Sequence, residues 1–278
     1  MSGRYAQILS LLVILFFMRG SNSAIAKSAN LNSAQIADLY SQAKLFFRQA
    51  NEVAAKDPSQ ATSLYGKSAM RYERIIREGD IRNGKLYYNL GNIYFRMNEI
   101  GRAILNYLRA EQYIPNDSNL KQNLAYVRKN RLDKIEEKQK TKVLKTLFFW
   151  HYDIPASIRL IIFTSCFILI WVFASVRVFL KQSIVKYCLV ITGVVSVLMA
   201  GSLAAEEVSL INNRPGVIIS REVVARKGNS DTYEPSFKEP LHSGTEFILR
   251  EKRGEWLLIE LADSRNCWVP SQVVEMVR

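Results

Sequence analysis

Gly84-Lys85-Leu86-Tyr87-Tyr88-Asn89-Leu90-Gly91-Asn92-Ile93-Tyr94, followed by Ala103, Tyr107, Ala110 and Pro115, is the stretch that decides the fold of this chain. Tyr87, Leu90 and Tyr94 recur at helical spacing, and a second apolar series runs through Ala103, Tyr107 and Ala110. Two such helices joined by a short connection lie antiparallel. Gly91 and Ala103 are small where those helices must approach closely, and the aromatic residues with Leu90 fill the space between neighbouring units. Pro115 cannot continue a helix and closes the segment.

Placed on the tetratricopeptide pattern of about 34 residues, the segment fills every signature position: Tyr87, Leu90, Gly91, Tyr94, Ala103, Tyr107, Ala110 and Pro115. It resembles one firm repeat over 84–117. A weaker repeat occupies about 45–83, without a Leu-Gly pair but with Tyr65, Ser68, Tyr72 and Ile75 at second-helix positions. Asn32-Ser33 caps a helix running to Ala55, and Pro115-Asn116-Asp117-Ser118 starts a further helix with Leu120, Leu124 and Val127 that seals the array. The whole helical domain is expected over 27–140. First helices of such repeats line a concave surface, on which Asn89, Asn92 and Arg96 are the candidate partner-binding residues; the alternative for each is an ordinary wet helix face.

Apolar residues are unevenly spread. Residues 8–18 form a short apolar run between Arg4 and Ala24-Ile25-Ala26, which predicts a signal peptide over 1–26; an uncleaved anchor is the alternative. Residues 157–180 and 187–205 are long enough for transmembrane helices, joined by a tight loop at 181–186. Neither has a polar face, which disfavours a buried soluble hairpin. Ser196, Ala200 and Ala204 form a small-residue stripe for close packing in the second span. Charge counting leaves the orientation open, since Arg177, Lys181 and Lys186 oppose Lys138, Lys140, Lys142 and Lys145. Export of the N-terminal domain decides it: the loop is cytoplasmic and both soluble domains face outward. Residues 141–156 carry Phe148, Phe149, Trp150 and Tyr152 and suit the headgroup boundary, and 206–215 forms a linker.

The net charge of +13 concentrates between Lys121 and Lys145. Nucleic acid is excluded as a partner by export, which leaves anionic headgroups beside the bilayer or a solvated helix face. From Gly216 the pattern changes to short β segments parted by turn residues, which predicts a small all-β barrel over 216–278. Trp256 and the ending Trp268-Val269-Pro270 give it the look of a bacterial SH3-type domain. Tyr233, Phe237, Trp256 and Trp268 are candidates for a groove there, with barrel core as the alternative role.

Catalytic, metal and cofactor residues are not expected. His151 and His242 read as interfacial or solvated, and Cys166, Cys188 and Cys267 as small buried hydrophobes without ligand spacing. Gly66-Lys67-Ser68 ends like a phosphate-binding loop but lacks the required glycine, position 61 being Ala. The chain is expected to be a multidomain membrane protein and not an enzyme.

Signal, tetratricopeptide array with Tyr87–Asn92 and Gly101–Tyr107, Phe149-Trp150-His151 ahead of a membrane hairpin, and SH3-type end occur in one order. That order resembles the BatE proteins of the bacterial aerotolerance operon. The resemblance implies an inner-membrane scaffold with periplasmic soluble domains. It also implies membrane-anchored von Willebrand A-type proteins and a MoxR-type ATPase as partners, and a role in envelope or oxidative-stress tolerance. Recognition of peptidoglycan peptides by the SH3-type domain is the alternative function.

Overall fold

The computed structural model describes residues 31–135, 148–152, 154–180 and 182–278. The expected signal peptide, half of the expected interfacial segment and the later part of the basic run lie outside the described residues.

Helices α1 (Ser33–Val53), α2 (Pro58–Glu78), α3 (Gly84–Arg96), α4 (Ile100–Glu111) and α5 (Ser118–Asn130) follow one another with short joints. Their starts are written in the sequence. The Asn32 side chain and Gln35 form a reciprocal capping box, Asp57 accepts from Gln60 N ahead of Pro58, and Asn83 and Asp117 cap α3 and α5. The α1–α2 pair, whose expected unit begins near residue 45, starts at Ser33 and is built of two longer helices than α3 and α4. It crosses where Ala43 and Ser68 are both fully buried and Ser68 Oγ donates to the Ala43 carbonyl at 2.7 Å. Ala43 thus supplies the small crossing residue that the Leu-Gly pair supplies in the next unit. The α3–α4 pair crosses at Gly91, where a Cβ would stand 2.5 Å from Cδ1 and Cε1 of the Tyr107 ring. Both pairs share one continuous apolar core, from Leu39 and Ala43 through Tyr72, Leu90 and Tyr107 to Leu120 and Val127.

After a short helix α6 (Phe149–Tyr152), two long apolar helices follow: α7 (Ala156–Phe179) and α8 (Ser183–Asn212). Both are long and apolar enough to cross a membrane. They bury little of themselves in the protein, leaving Ile161, Ile168, Trp171, Ile184 and Val197 exposed, as lipid-facing surface would be. Helix α8 continues through Glu206-Glu207 as far as Asn212, and only Asn213 separates it from the first strand.

The C-terminal part holds β1 (Arg214–Ile218), β2 (Glu222–Val223), β3 (Leu241–His242), β4 (Glu246–Arg253), β5 (Trp256–Leu261), β6 (Asn266–Pro270) and β7 (Val274–Met276). Five strands form an antiparallel sheet in the order β6-β5-β4-β1-β7, and β2 pairs with β3 separately. Period-2 alternation sends Leu257, Ile259 and Leu261 of β5 inward, and Phe247, Cys267 and Val269 join them in the core. Burial pushes the Cys267 thiol up to about 12. The barrel expected from the sequence does not close. Among the described residues no pairing joins the edge strands β6 and β7; a three-residue 3-10 turn (Ser271–Val273) links them, which requires the sheet to curl, while β7 pairs with β1 and Trp268 of β6 bridges to Arg226, beyond β2.

The sheet packs directly on the helices. Strand β1 lies against α4, and Val217 and Val277 are buried in the helical core. Arg128 and Arg131 both bind the Glu246 carboxylate, Arg109 donates to Glu275 and the Met276 carbonyl, and Gly101 N donates to Ser243 Oγ at 3.0 Å. Asp133 accepts from His242 N, the His242 ring and Thr245 Oγ1. Helical array and sheet therefore stand together at one end of the α7–α8 hairpin, the end that carries Arg159 and Glu206.

Candidate partner-binding groove

An open groove of about 850 Å³ lies between α1 and α3. Tyr40, Ser41, Lys44, Leu45, Phe47, Arg48 and Asn51 come from α1, Tyr72 from α2, and Asn89, Asn92 and Ile93 from α3. On α1, Tyr40, Lys44, Arg48 and Asn51 fall at 4-4-3 spacing, which puts them on one helical face. The 4-4-3 spacing is itself a signal present in the sequence. Tyr72 forms part of the lining. Its ring meets Tyr40 edge-on at 5.8 Å and its hydroxyl accepts from Asn89 Nδ2 at 3.3 Å. Burial, reinforced by the neighbouring Tyr40, pushes the Tyr72 phenol up to about 12, against the opposing Asn89 hydrogen bond, so it is a neutral hydroxyl at any ordinary pH.

The three residues singled out on the first-helix face have different situations. Asn89 and Asn92 line the groove; Arg96 is exposed at the end of α3 and is not part of its wall. Asn92 also carries structure, since its Oδ1 accepts from the Tyr107 hydroxyl at 2.7 Å and from Asn123 Nδ2 at 2.9 Å, tying α3 to α4 and α5. Polar valences remain. Among the described residues Asn89 Oδ1, Asn92 Nδ2 and Asn51 Nδ2 bond to nothing in the protein, Asn51 using its oxygen to accept from the Tyr65 hydroxyl at 2.6 Å. The groove thus offers one amide acceptor and two amide donors above aromatic surface, with two cations and no carboxylate in its wall. Such a surface can hold an extended chain.

The signature residues Tyr87, Leu90, Gly91, Tyr94, Ala103, Tyr107 and Ala110 are all buried, whereas Pro115 is exposed in the turn after α4. Tyr94 hydrogen-bonds Glu73 across the α2–α3 joint, and Arg102 lies 5.5 Å from the centre of its ring. On the sheet, the four aromatic candidates do not present open faces together. Arg265 covers Phe237 at 4.5 Å, Arg253 covers Trp268 at 5.4 Å, Trp268 is 8% exposed, and Tyr233 packs against Gly228 with half its surface free. Trp256 sits half-buried at the start of β5.

A second polar cluster sits at the head of the hairpin. Arg159 is 2% exposed and donates to the Ile154 carbonyl at 2.9 Å, to Ser202 Oγ at 2.6 Å and to Glu206, with His151 Nδ1 at 3.1 Å. His151 Nδ1 also lies 2.8 Å from Ser202 Oγ. A charged residue four places into an apolar helix, with glutamates at the end of the next, was the available signal. The cluster joins α6, α7 and α8. His242, expected as a solvated loop residue, is instead in β3 and engaged with Asp133 at the helix–sheet boundary. Among the described residues no group of three or more His, Cys, Asp or Glu is placed to hold a metal ion.

Comparison with protein-family models and with the curated proteins gave no match to this chain.

Proposed function

We propose that this chain is a non-catalytic, membrane-anchored scaffold of BatE-like type, whose tetratricopeptide helices capture a protein partner in the α1–α3 groove. The observation that carries this reading is the groove itself, with spare amide valences above aromatic surface on the first-helix face. The Gly91–Tyr107 and Ala43–Ser68 crossings support the repeat assignment, because stacked helical hairpins are what such crossings build. The five-stranded sheet is read as an open SH3-like module that braces the array and leaves its first-helix face free. The α7–α8 hairpin is read as the inner-membrane anchor, with array and sheet in the periplasm. Membrane-anchored von Willebrand A-type proteins and a MoxR-type ATPase system are the partners the family resemblance proposes. Recognition of wall peptides is the weaker alternative, since arginines lie over Phe237 and Trp268.

The test is capture by the detergent-solubilised full chain from its own membranes, run beside capture by purified wall sacculi. Enrichment of defined membrane proteins, lost when Ser41 is changed to Trp to fill the groove, is the expected result. Binding to sacculi alone would overturn the reading.

A further inference from the structure

A second hollow, of about 980 Å³, lies between α2 and α4, and the end of β7 forms one of its walls. It is separate from the α1–α3 groove. Helix α3 turns Tyr87, Leu90 and Tyr94 toward it, whereas Asn89, Asn92 and Ile93 line the other.

Arg102, Asn106 and Arg109 fall at 4-3 spacing on one face of α4, Tyr113 follows just past the end of the helix, and all four line this hollow. Asn106 is 4% exposed, at the floor. Its Nδ2 donates to the Arg102 carbonyl at 2.9 Å, and because a carbonyl only accepts, that bond fixes which way the amide points. The Asn106 Oδ1 then receives no hydrogen bond among the described residues. It is not sealed in, since Ser236 Oγ is the side-chain atom there that is both shut from solvent and unpartnered. A buried amide thus keeps an open acceptor at the floor of a large cavity, a position that costs free energy unless a donor reaches it.

Above this acceptor the spare valences are cationic. Arg82 is exposed and makes no ion pair among the described residues, and Arg109 uses only Nη2, toward Glu275 and the Met276 carbonyl. Arg102 reaches Glu99 at 3.4 Å with both side chains well exposed. Of the wall's carboxylates, Glu73 accepts from Tyr94, Glu78 from Arg74, and Glu275 from Arg109, which leaves Asp80 as the unbonded one. At one end the Tyr87 and Tyr113 rings stack at 5.9 Å and 20°, and the outer face of Tyr113 is exposed. Asn106 and Tyr113, seven residues apart, stand about 10 Å apart along the helix direction.

We infer that this cavity is a binding site for a small planar aromatic anion that carries an N–H or O–H donor. Its ring lies on the open face of Tyr113, its donor reaches Asn106 Oδ1, and its carboxylate or phosphate meets the free guanidinium groups of Arg82, Arg102 and Arg109. Such a ligand touches α2, α4 and the end of β7 together, so it ties array to sheet. The site is independent of the α1–α3 groove, and its failure leaves the scaffold reading untouched.

The experiment is ligand-observed NMR line broadening with the full chain in phosphatidylcholine nanodiscs, empty nanodiscs being the blank. Three probes of one shape separate the contacts: para-anilinobenzoate carries ring, N–H and anion, para-phenoxybenzoate lacks the N–H, and para-anilinobenzamide lacks the charge. The anilinobenzoate is expected to bind about fivefold tighter than the phenoxy probe, the worth of one hydrogen bond. Asn106→Leu should erase that difference, and Arg82→Gln, an exposed change, should weaken the anion several-fold while leaving the amide probe alone. Ser41→Trp should change nothing. Equal binding of the anilino and phenoxy probes, an N–H preference that survives Asn106→Leu, loss of binding in Ser41→Trp, or no broadening beyond empty nanodiscs at millimolar probe would each overturn the assignment.

Discussion

Replacing Gly91 by Ala is the sharpest perturbation of the helical architecture. The added Cβ would lie 2.5 Å from two carbons of the Tyr107 ring and 3.0 Å from a third, whereas carbon atoms in contact prefer about 3.5–4.0 Å. The ring cannot swing aside, because Tyr107 is 1% exposed and its hydroxyl is held by Asn92, which Asn123 also holds. The helices must part by about 1 Å, an overpacking whose cost falls toward the upper end of ~1–3 kcal/mol. Alanine in place of glycine inside a helix returns about 1 kcal/mol. The net expectation is a loss near 2 kcal/mol, or a midpoint lower by about 4–8 °C for a cooperative unit of this size. Gly66→Ala is the control: it lies within α2 and its Cβ would find its nearest neighbour, Met97 Cε, at 4.0 Å. The same exchange there should stabilise by about 0.5–1 kcal/mol. Thermal unfolding of the full chain in detergent, followed by far-UV circular dichroism, compares the two. Equal and stabilising shifts at both positions would refute the close crossing at Gly91 and with it the repeat register.

Other expectations concern the two polar clusters. Burial opposes charge on Asp133, but the His242 N–H, the Thr245 hydroxyl and the His242 ring hold its carboxyl below the usual value near 3.8. A depressed carboxylate contributes stability above its ordinary pKa and loses it as pH falls through the folded value, so helix–sheet docking should weaken on acidification below about 4. Protection factors at the amides of His242 and Thr245, which correct for the slower intrinsic exchange in acid, should fall there, whereas Asp133→Asn should show reduced protection already at neutral pH and no change across that window. At the hairpin head, Arg159→Leu leaves Glu206 without its partner and should destabilise the hairpin in nanodiscs by up to about 3–5 kcal/mol, less because Glu206 is one-third exposed. The double change Arg159→Leu/Glu206→Gln should recover most of the loss; a double variant as unstable as the single would show that the pair does not act as a unit.

Helix starts, crossing residues and apolar spans were legible because each depends on a few residues close in sequence: Asn32 with Gln35, Gly91 within its Leu-Gly pair, and unbroken apolar runs. The α1 stripe of Tyr40, Lys44, Arg48 and Asn51 is equally local, but that it faces Asn89 and Asn92 of α3 across a groove depends on helix packing. Contacts between distant segments were not legible. Nothing local to Asp133 announces His242, more than a hundred residues away, and nothing local to Arg159 announces Ser202 and Glu206. The closed barrel failed for a related reason. Strand positions follow from alternation, but which strands pair at the edges is set by long-range contacts, such as the bridge from Trp268 of β6 to Arg226.

The central claim, that a protein partner lies in the α1–α3 groove, is tested most directly by a photoreactive side chain at Ser41, in the groove wall, and at Met70, which lines a different surface. Irradiation of living cells should give a discrete covalent adduct between this chain and another membrane protein from position 41 and none from position 70. Adducts of equal yield from both positions, or none from 41 while a probe at Tyr233 on the sheet captures a partner or wall peptide, would contradict the account.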